Sequence, residues 1–270
     1  MSDLSQKKIR TTTLAELKSA GEKFAALTSY DRFTAEIFDE SGIEVLLVGD
    51  SAANTVYGKS NTLEVSIQEM ISLGRAVSSS AKRALVVIDM PFGSYEISAQ
   101  QATENAIALI KHSGAEAVKL EGGKNRTEQI RSIIAAGIPV MGHLGFTPQS
   151  VHSLGGFKVQ GRGESANTLI EDAKALEEAG VFAIVLELVP GEVAKQITGA
   201  LSIPTIGIGA GNSTDGQILV WQDFAGLSGE KLKFVREYLQ LREALSGAAK
   251  KYRDEVRDGS FPSPEHTFGD

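Results

Sequence analysis

Short apolar runs rich in Val, Ile and Leu recur along the chain, separated by longer stretches whose apolar residues have helical spacing. Because these runs lack the polar alternation of a half-exposed strand, they predict parallel strands that are buried on both faces. The predicted strands span residues 24–28, 44–49, 84–88, 117–120, 138–142, 182–186, 203–208 and 217–221. Alternating strands and helices indicate a parallel sheet, and this number of strands favours a closed β/α barrel over an open doubly wound sheet.

Capping residues mark the ends of several predicted helices. Ser98 predicts the N-terminus of one helix, and Ser165 opens another. Glycines that follow helices and precede strands predict left-handed C-terminal caps, at Gly114, Gly137 and Gly180. These signals support the alternation of helices with strands.

The two ends of the chain are predicted to be additions to a single domain that spans residues 1–270. Thr13 and Glu16 have the spacing of a capping box, which predicts a short N-terminal helix at about 11–20. The tail at about 258–270 is polar and irregular. Since no linker or low-complexity segment interrupts the chain, we expect one TIM-type (β/α)8 barrel.

Composition narrows the class of protein. The 270 residues carry a formal net charge of −7, which is unlike the basic surface of a nucleic-acid binder. The chain contains no cysteine, which excludes disulfides and thiolate metal ligands. The N-terminus lacks the apolar segment of a secretory signal, and no apolar run approaches the roughly 20 residues that span a membrane. We therefore expect a cytoplasmic protein that binds neither nucleic acid nor membranes.

Polar and ionisable residues lie at the predicted C-terminal ends of successive strands, whose bodies are apolar. Strands two to six supply, in order, Asp50 and Ser51, Asp89, Lys119 and Glu121, His143, and Glu187. Active sites of β/α barrels lie at this face. We therefore expect these side chains to form one site.

Asp50 and Asp89 are candidate metal ligands, because two carboxylates on adjacent strands suit Mg²⁺. With no cysteine and few histidines, a zinc site fits less well. The alternative for either aspartate is that it caps the helix that follows its strand. Capping is a weaker explanation for the pair, because adjacent strands would place the two aspartates side by side.

The remaining candidates each allow a structural alternative. Lys119 and Glu121 are two residues apart and face the same side of a strand, so they could bind a substrate carboxylate and the metal's water shell, or form a structural ion pair. His143 could donate to a developing oxyanion or be a hydrogen-bonded structural residue. Glu187 follows an apolar run that would raise its pKa toward that of a general base, or it could be a partner of Lys119.

Six sequence blocks carry a resemblance that goes beyond these positions. They are GDSAANTVYG, DMPFGSY, VKLEGG, GHLGFTPQSVHSLGGFKVQGRG, LELVP and IPTIGIGAGNSTDGQILV. In this order and at these intervals, they resemble the ketopantoate hydroxymethyltransferase (3-methyl-2-oxobutanoate hydroxymethyltransferase) family. The resemblance extends from about Thr11 to His266.

The resemblance implies an enzyme of pantothenate biosynthesis with a β/α-barrel fold. Such an enzyme transfers a hydroxymethyl group from 5,10-methylenetetrahydrofolate to 3-methyl-2-oxobutanoate through a Mg²⁺-stabilised enolate and gives 2-dehydropantoate. The resemblance implies that Asp50 and Asp89 hold the metal, with support from Glu121, and that Glu187 is the base. The residues that it implies contact the substrate are Ser51, Asp50, Asp89, Lys119 and His143. It also implies a homo-oligomer, commonly a decamer.

This sequence departs from the family pattern near the second strand. Ala52, Ala53 and Asn54 stand where the family commonly has Leu-Gly-Met, and Lys59 stands where His or an aromatic residue is frequent. These departures bear on pocket shape and substrate preference. The residues alone leave two alternative functions open. One is a Mg²⁺-dependent lyase or mutase that acts on another 2-oxo acid or phosphoenolpyruvate, and the other is a ligand-binding barrel without activity.

Overall fold

Parallel strands form a closed barrel in residues 7–269, the part of the chain that the computed structural model describes. Each strand pairs with the next along the chain, and the last pairs with the first. The strands are β1 (Phe24–Thr28), β2 (Val45–Val48), β3 (Leu85–Asp89), β4 (Ala117–Glu121), β5 (Val140–Gly145), β6 (Ala183–Glu187), β7 (Thr205–Ile208) and β8 (Gly216–Leu219). The predicted TIM-type barrel is confirmed.

Long helices follow the first six strands in turn and pack on the outside of the barrel. The helices are α1 (Thr11–Ala20), α2 (Arg32–Glu40), α3 (Ala52–Thr55), α4 (Ile67–Ser78), α5 (Ala99–Ser113), α6 (Thr127–Ala135), α7 (Val151–Leu154), α8 (Ser165–Ala179), α9 (Gly191–Ala200), α10 (Trp221–Phe224) and α11 (Leu241–Asp258). No helix within residues 7–269 has the length and apolar character needed to cross a membrane.

Alternate residues of each strand belong to two different apolar clusters. In β2, Val45 and Leu47 pack inside the barrel, whereas Leu46 and Val48 pack against the outer helices. Successive side chains of a strand point to opposite faces, and here both faces are covered. This double burial explains why the strands appear in the sequence as continuous apolar runs.

The predicted helix ends are largely confirmed. The Ser98 hydroxyl accepts a hydrogen bond from the backbone N–H of Gln101 at 3.1 Å, which caps α5. Gly114 and Gly180 cap α5 and α8 with φ values of 78° and 98°, in the left-handed region that favours glycine. Helix α8 begins at Ser165, as predicted.

The N-terminal helix lies where it was predicted, but the predicted Thr13–Glu16 capping box is wrong. The Thr13 hydroxyl instead accepts a hydrogen bond from the backbone N–H of Arg10 at 3.1 Å. The backbone N–H of Ile9 donates to the Arg83 carbonyl at 2.8 Å. Because this contact anchors the chain just before residue 10, the helix begins earlier than the capping box required.

Helix α1 covers the end of the barrel at which the strands begin. Ile9, Leu14 and Leu17 are buried and belong to the same apolar cluster as the barrel interior. The Lys18 ammonium lies 2.9 Å from an Asp215 carboxylate oxygen, close to the start of β8. The opposite end of the barrel therefore stays available for a site.

The chain divides into two compact units, Met1–Val220 and Trp221–Asp270. The barrel and α1 lie in the first unit. In the second unit, the rings of Phe224 and Tyr238 stack with centroids 5.1 Å apart, and α11 buries none of its residues. The expectation that residues 1–270 act as one domain stays a prediction.

Candidate active site

The C-terminal ends of the strands surround a pocket with an empty volume of about 520 Å³, its open mouth included. The polar lining contains every site residue predicted from the sequence: Asp50, Ser51, Asp89, Lys119, Glu121, His143 and Glu187. Much of the remaining lining is apolar, from Leu47, Val185, Ile208, Ile218, Leu219 and Val220. The pocket therefore has a charged side and an apolar side.

Strand register explains why residues distant in sequence meet here. Asp89 on β3 is aligned with Lys119 on β4, and Glu121 on β4 is aligned with His143 on β5. Lys119 and Glu121 both line the pocket because residues two apart on a strand share a face. Three adjacent strands thus bring an aspartate, a lysine, a glutamate and a histidine together.

Lys119 is buried among groups that keep it charged. Its Nζ lies 2.8 Å from Asp89 Oδ1 and 3.2 Å from His143 Nδ1. Burial alone would lower the pKa of Lys119, but the nearby carboxylates of Asp89, Glu121 and Asp50 outweigh burial and raise it above its usual value. The pocket therefore contains a permanent positive charge.

The carboxyl groups around Lys119 repel one another. The backbone N–H of Asp50 donates to Asp89 Oδ2 at 2.9 Å, which holds the two aspartates together. Burial, and then the charges of Asp89 and Glu121, raise the pKa of Asp50 well above its ordinary value. Burial raises the pKa of Glu121 to about 8, although Lys119 opposes this shift. One ammonium does not balance these buried carboxyl groups, so the cluster favours a further cation.

The carboxylate oxygens of the pocket suit Mg²⁺, which also takes ligands from substrate and water. They suit a metal ion that needs all its ligands from the protein less well. Among residues 7–269, the buried oxygens Asp89 Oδ1 and Glu121 Oε1 accept no hydrogen bond of good geometry, although the former contacts the Lys119 ammonium. Within the same residues, no three His, Cys, Asp or Glu side chains are grouped so as to hold an ion by themselves. Mg²⁺ is commonly bound through one or two carboxylates, with substrate and water completing its shell. Asp50 and Asp89 match that requirement.

His143 lies between the lysine and Glu187. Its Nδ1 faces the Lys119 ammonium, and its Nε2 lies 3.3 Å from Glu187 Oε2. Burial and the Lys119 charge lower the pKa of His143, so the imidazole is neutral near pH 7. We infer that its proton is on Nε2, because Nδ1 faces a donor.

Glu187 is the most exposed carboxylate of the pocket. Its side chain is 14% exposed, whereas those of Asp89, Lys119, Glu121 and His143 are 3–4% exposed. Burial raises the pKa of Glu187, while the His143 imidazole, 3.3 Å away, acts in the opposite direction. A carboxylate with a raised pKa and access to the pocket can accept a proton from a bound molecule.

The backbone at Glu187 is constrained on two sides. Leu188 has a φ of 48°, in the left-handed region that a non-glycine residue rarely adopts. The Glu187 carbonyl accepts a hydrogen bond from the N–H of Phe146 at 2.8 Å and lies so close to Gly145 that a Cβ there would collide with it. These contacts fix the end of β6 and therefore the position of the carboxylate.

Sequence reasoning missed three residues of this region. The Tyr30 hydroxyl is hydrogen-bonded to the Ser51 hydroxyl at 2.7 Å. The Gln149 side chain donates to the Asp50 carboxylate, and the Tyr95 hydroxyl donates to Gln149 Oε1. Tyr30 could have been found, because it follows the first strand just as the other site residues follow theirs. Gln149 lies within the GHLGFTPQS block, although no role was assigned to it.

Fold and pocket together define a β/α-barrel enzyme with a buried, acid-rich site at its C-terminal face. The family model of ketopantoate hydroxymethyltransferase matches residues 8–264. This chain is 58% identical to 3-methyl-2-oxobutanoate hydroxymethyltransferase of Arthrobacter sp. (strain FB24), over 97% of this chain and 87% of that one. It is 56% identical to the enzyme of that name from Corynebacterium glutamicum, over 99% and 100%. The chain therefore belongs to the ketopantoate hydroxymethyltransferase family and is a transferase of the pantothenate pathway.

More distant solved structures share the barrel. Phosphonopyruvate hydrolase has a TM-score of 0.62 at 14% identity, covering 96% of this chain and 93% of its own. 2,3-Dimethylmalate lyase has a TM-score of 0.61 at 16% identity, covering 94% and 92%. At such low identity these similarities concern the fold alone. They do not favour the lyase or mutase alternative over the family to which the chain belongs.

Proposed function

We propose that this protein transfers a hydroxymethyl group from 5,10-methylenetetrahydrofolate to 3-methyl-2-oxobutanoate and so produces 2-dehydropantoate. The observation that carries the proposal is the pocket's arrangement, with a charged lysine amid buried carboxyl groups and a more exposed carboxylate, Glu187, beside His143. A 2-oxo acid needs a cation for its carboxylate and its keto oxygen, and a base for its C3 proton. The pocket offers groups suited to each.

Asp50 and Asp89 would hold Mg²⁺, with Glu121 close enough to Lys119 and the aspartates to support the ion's water shell. When bound, Mg²⁺ would supply Lewis acidity that stabilises negative charge on the substrate's keto oxygen. The excess of buried carboxyl groups over ammonium groups supports this assignment, because a dication would offset their repulsion.

The other side chains have roles in binding and in proton transfer. Lys119 would bind the substrate carboxylate, and Ser51, held by Tyr30, would orient the substrate. Glu187 would remove the C3 proton, since its raised pKa makes it a stronger base than an ordinary glutamate. The His143 Nε2–H would hold Glu187 in place and donate to negative charge on the substrate.

The enolate carbon of the substrate would then form a bond to the methylene carbon of the folate co-substrate. Water would supply the hydroxyl group as the bonds from that carbon to the folate nitrogens break, which releases tetrahydrofolate. Folate carries the one-carbon unit, and the protein contributes orientation and electrostatics. The resemblance to the family also leads us to propose a homo-oligomer, most simply a homodecamer, that works in the cytoplasm on this 2-oxo acid and folate. It would have no nucleic-acid or membrane partner.

Proton exchange at C3 tests the proposal without folate. Deprotonation precedes carbon–carbon bond formation, so the Mg²⁺-loaded protein should exchange the C3 proton of 3-methyl-2-oxobutanoate with heavy water. The NMR signal of that proton should fade faster than in a protein-free control. The Glu187→Gln protein should bind the substrate and leave the signal unchanged.

The same measurement distinguishes the proposal from its alternatives. A barrel without activity would bind the acid and show no exchange. If exchange requires folate to complete the site, adding tetrahydrofolate should restore it, because this ligand has no one-carbon unit to donate. No exchange under either condition would contradict deprotonation at this site, and undiminished exchange in Glu187→Gln would assign the base elsewhere.

A further inference from the structure

Gln149 lies at the centre of a hydrogen-bond network that joins the C-terminal ends of several strands. It belongs to the short 3-10 turn Pro148–Ser150 that follows β5, and it is buried. Its side-chain Nε2 donates to Asp50 Oδ2 at 2.9 Å and to the Met90 carbonyl at 3.0 Å. Its backbone N–H donates to Glu121 Oε2 at 3.0 Å. One residue thus contacts both Asp50 and Glu121.

Tyr95 fixes the orientation of the Gln149 amide. The Tyr95 hydroxyl oxygen accepts a hydrogen bond from the Glu121 backbone N–H at 3.3 Å, so its own proton is directed to Gln149 Oε1, which lies 2.5 Å away. The side-chain oxygen of Gln149 therefore faces Tyr95, and its NH₂ group faces Asp50. With this orientation, both side-chain polar atoms of Gln149 have partners, as a buried polar network requires.

The chemical nature of the donors matters as much as their position. A lysine or arginine beside Asp50 would hold the carboxylate and also cancel its charge. An amide and a backbone N–H are neutral donors, so they restrict the carboxylates without supplying positive charge. They therefore add no positive charge that would repel a cation.

We propose that Gln149, oriented by Tyr95, is a positioning residue that holds Asp50 and Glu121 for a divalent cation without placing a competing positive charge beside them. The inference rests on the proposed function, because that function places the cation at these carboxylates. It also gives a role to the glutamine within the GHLGFTPQS block, one of the blocks that carry the family resemblance.

Binding of Mn²⁺ in the absence of substrate tests this role directly. Free Mn²⁺ would be measured by electron paramagnetic resonance during titration of the whole protein, its Gln149→Met and Tyr95→Phe variants, and the double variant. Gln149→Met keeps the volume and removes the donors, so the apparent Kd should rise by about 10–100-fold, as is typical when a partner of a metal ligand is lost. Tyr95→Phe should have a smaller effect, because it frees the amide to rotate and removes the acceptor of the Glu121 backbone N–H but leaves both donors of Gln149 in place.

The double variant separates positioning from independent effects. If Tyr95 acts through the amide of Gln149, the double variant should bind Mn²⁺ about as weakly as Gln149→Met alone. Losses that add would overturn this part of the inference. If Gln149→Met does not fold, Tyr95→Phe carries the test by itself, since it retains the buried ring.

Two control variants make the same chemical changes on exposed helix surfaces. Gln68→Met on α4 and Tyr252→Phe on α11 should leave the Kd for Mn²⁺ unchanged. Thermal unfolding of the metal-free proteins reveals a purely structural role: lower melting temperatures for Gln149→Met and Tyr95→Phe with unchanged Mn²⁺ affinity would overturn the inference. If the unmodified protein binds no Mn²⁺, the proposed metal site itself fails, and that result does not depend on any variant.

Discussion

Glu187 differs from the other pocket carboxylates in its exposure, and the difference leads to a prediction about pH. A base must be ionised to accept a proton, and burial raises the pKa of Glu187 above the ordinary value of about 4.3. The value of kcat/KM should therefore fall as the pH decreases through this raised pKa, at a higher pH than that at which an ordinary glutamate protonates. A pH profile of kcat/KM measures the position of this acid limb, with circular dichroism over the same range to exclude unfolding. A limb at the ordinary glutamate value would contradict the assignment.

Asp89 should be required for the metal and for activity. Asp89→Asn removes a carboxylate that faces the Lys119 ammonium and adjoins Asp50. We expect activity to fall by more than the roughly 10–100-fold loss typical of residues that only support a metal ligand. Mg²⁺ titration calorimetry should show loss of binding, and chelation of the unmodified protein should abolish activity until Mg²⁺ is restored. Asp254→Asn, on the exposed surface of α11, is the matched control, and full activity of Asp89→Asn without metal would refute the role.

At the scale of single residues, the sequence predicted where ionisable residues lie but not which neutral residues hold them. Lys119 and Glu121 could be placed because strand alternation directs both into the barrel. Tyr95 and Gln149 could not be placed, because their partners Glu121 and Asp50 are 26 and 99 residues away in sequence. Such hydrogen bonds depend on how loops meet over the barrel, which a local pattern does not encode.

At the scale of elements, the contact between the ends of β5 and β6 should control the position of Glu187. Gly145 has a φ of 94°, a conformation that costs an alanine about 1–2 kcal/mol, and its added Cβ would also collide with the Glu187 carbonyl. Gly145→Ala should therefore lower both the free energy of unfolding and kcat. Urea unfolding and steady-state kinetics measure the two effects.

A second glycine supplies the control for this change. Gly199 lies in the exposed part of α9, where an added Cβ meets no atom within 4 Å. Gly199→Ala should stabilise the protein by about 0.5–1 kcal/mol, because alanine loses less backbone freedom in a helix, and it should leave kcat unchanged. A Gly145→Ala protein as stable and active as Gly199→Ala would show that the strand contact does not position the base.

The strands were the most predictable elements, because burial on both faces leaves a continuous apolar signature. Residues 24–28 were assigned without error, and the other strands differ from their predicted ranges by up to three residues at an end. The largest shift is in β5, where Gly142 was the predicted end and the strand continues to Gly145. Pairing with β6 extends β5 through a stretch that contains polar residues and glycine. Because this pairing joins residues distant in sequence, local hydrophobicity does not predict it.

At the scale of the whole molecule, α1 and the pocket lie at opposite ends of the barrel, and this separation makes stability and activity independently testable. Leu14 is fully buried in the interior cluster, so Leu14→Ala should lower the free energy of unfolding by about 2–5 kcal/mol. At temperatures well below the unfolding transition, kcat and KM should stay near their original values. Leu245→Ala, at a position 53% exposed on α11, should change stability far less. A large change in KM for Leu14→Ala would mean that the two ends are coupled.

The separation also has a practical meaning for protein engineering. Stabilising substitutions often reduce activity when they rigidify or crowd an active site. The residue that precedes α1 is Arg10, whose side chain makes no capping hydrogen bond, and the first turn of α1 contains no acidic residue. An aspartate at position 10 would place a carboxylate at the N-terminus of the helix, where it interacts favourably with the helix dipole and contributes about 1 kcal/mol. Because α1 is at the end of the barrel remote from the pocket, such a thermostable variant should retain its turnover, which makes this helix the place to begin when a more durable catalyst is wanted.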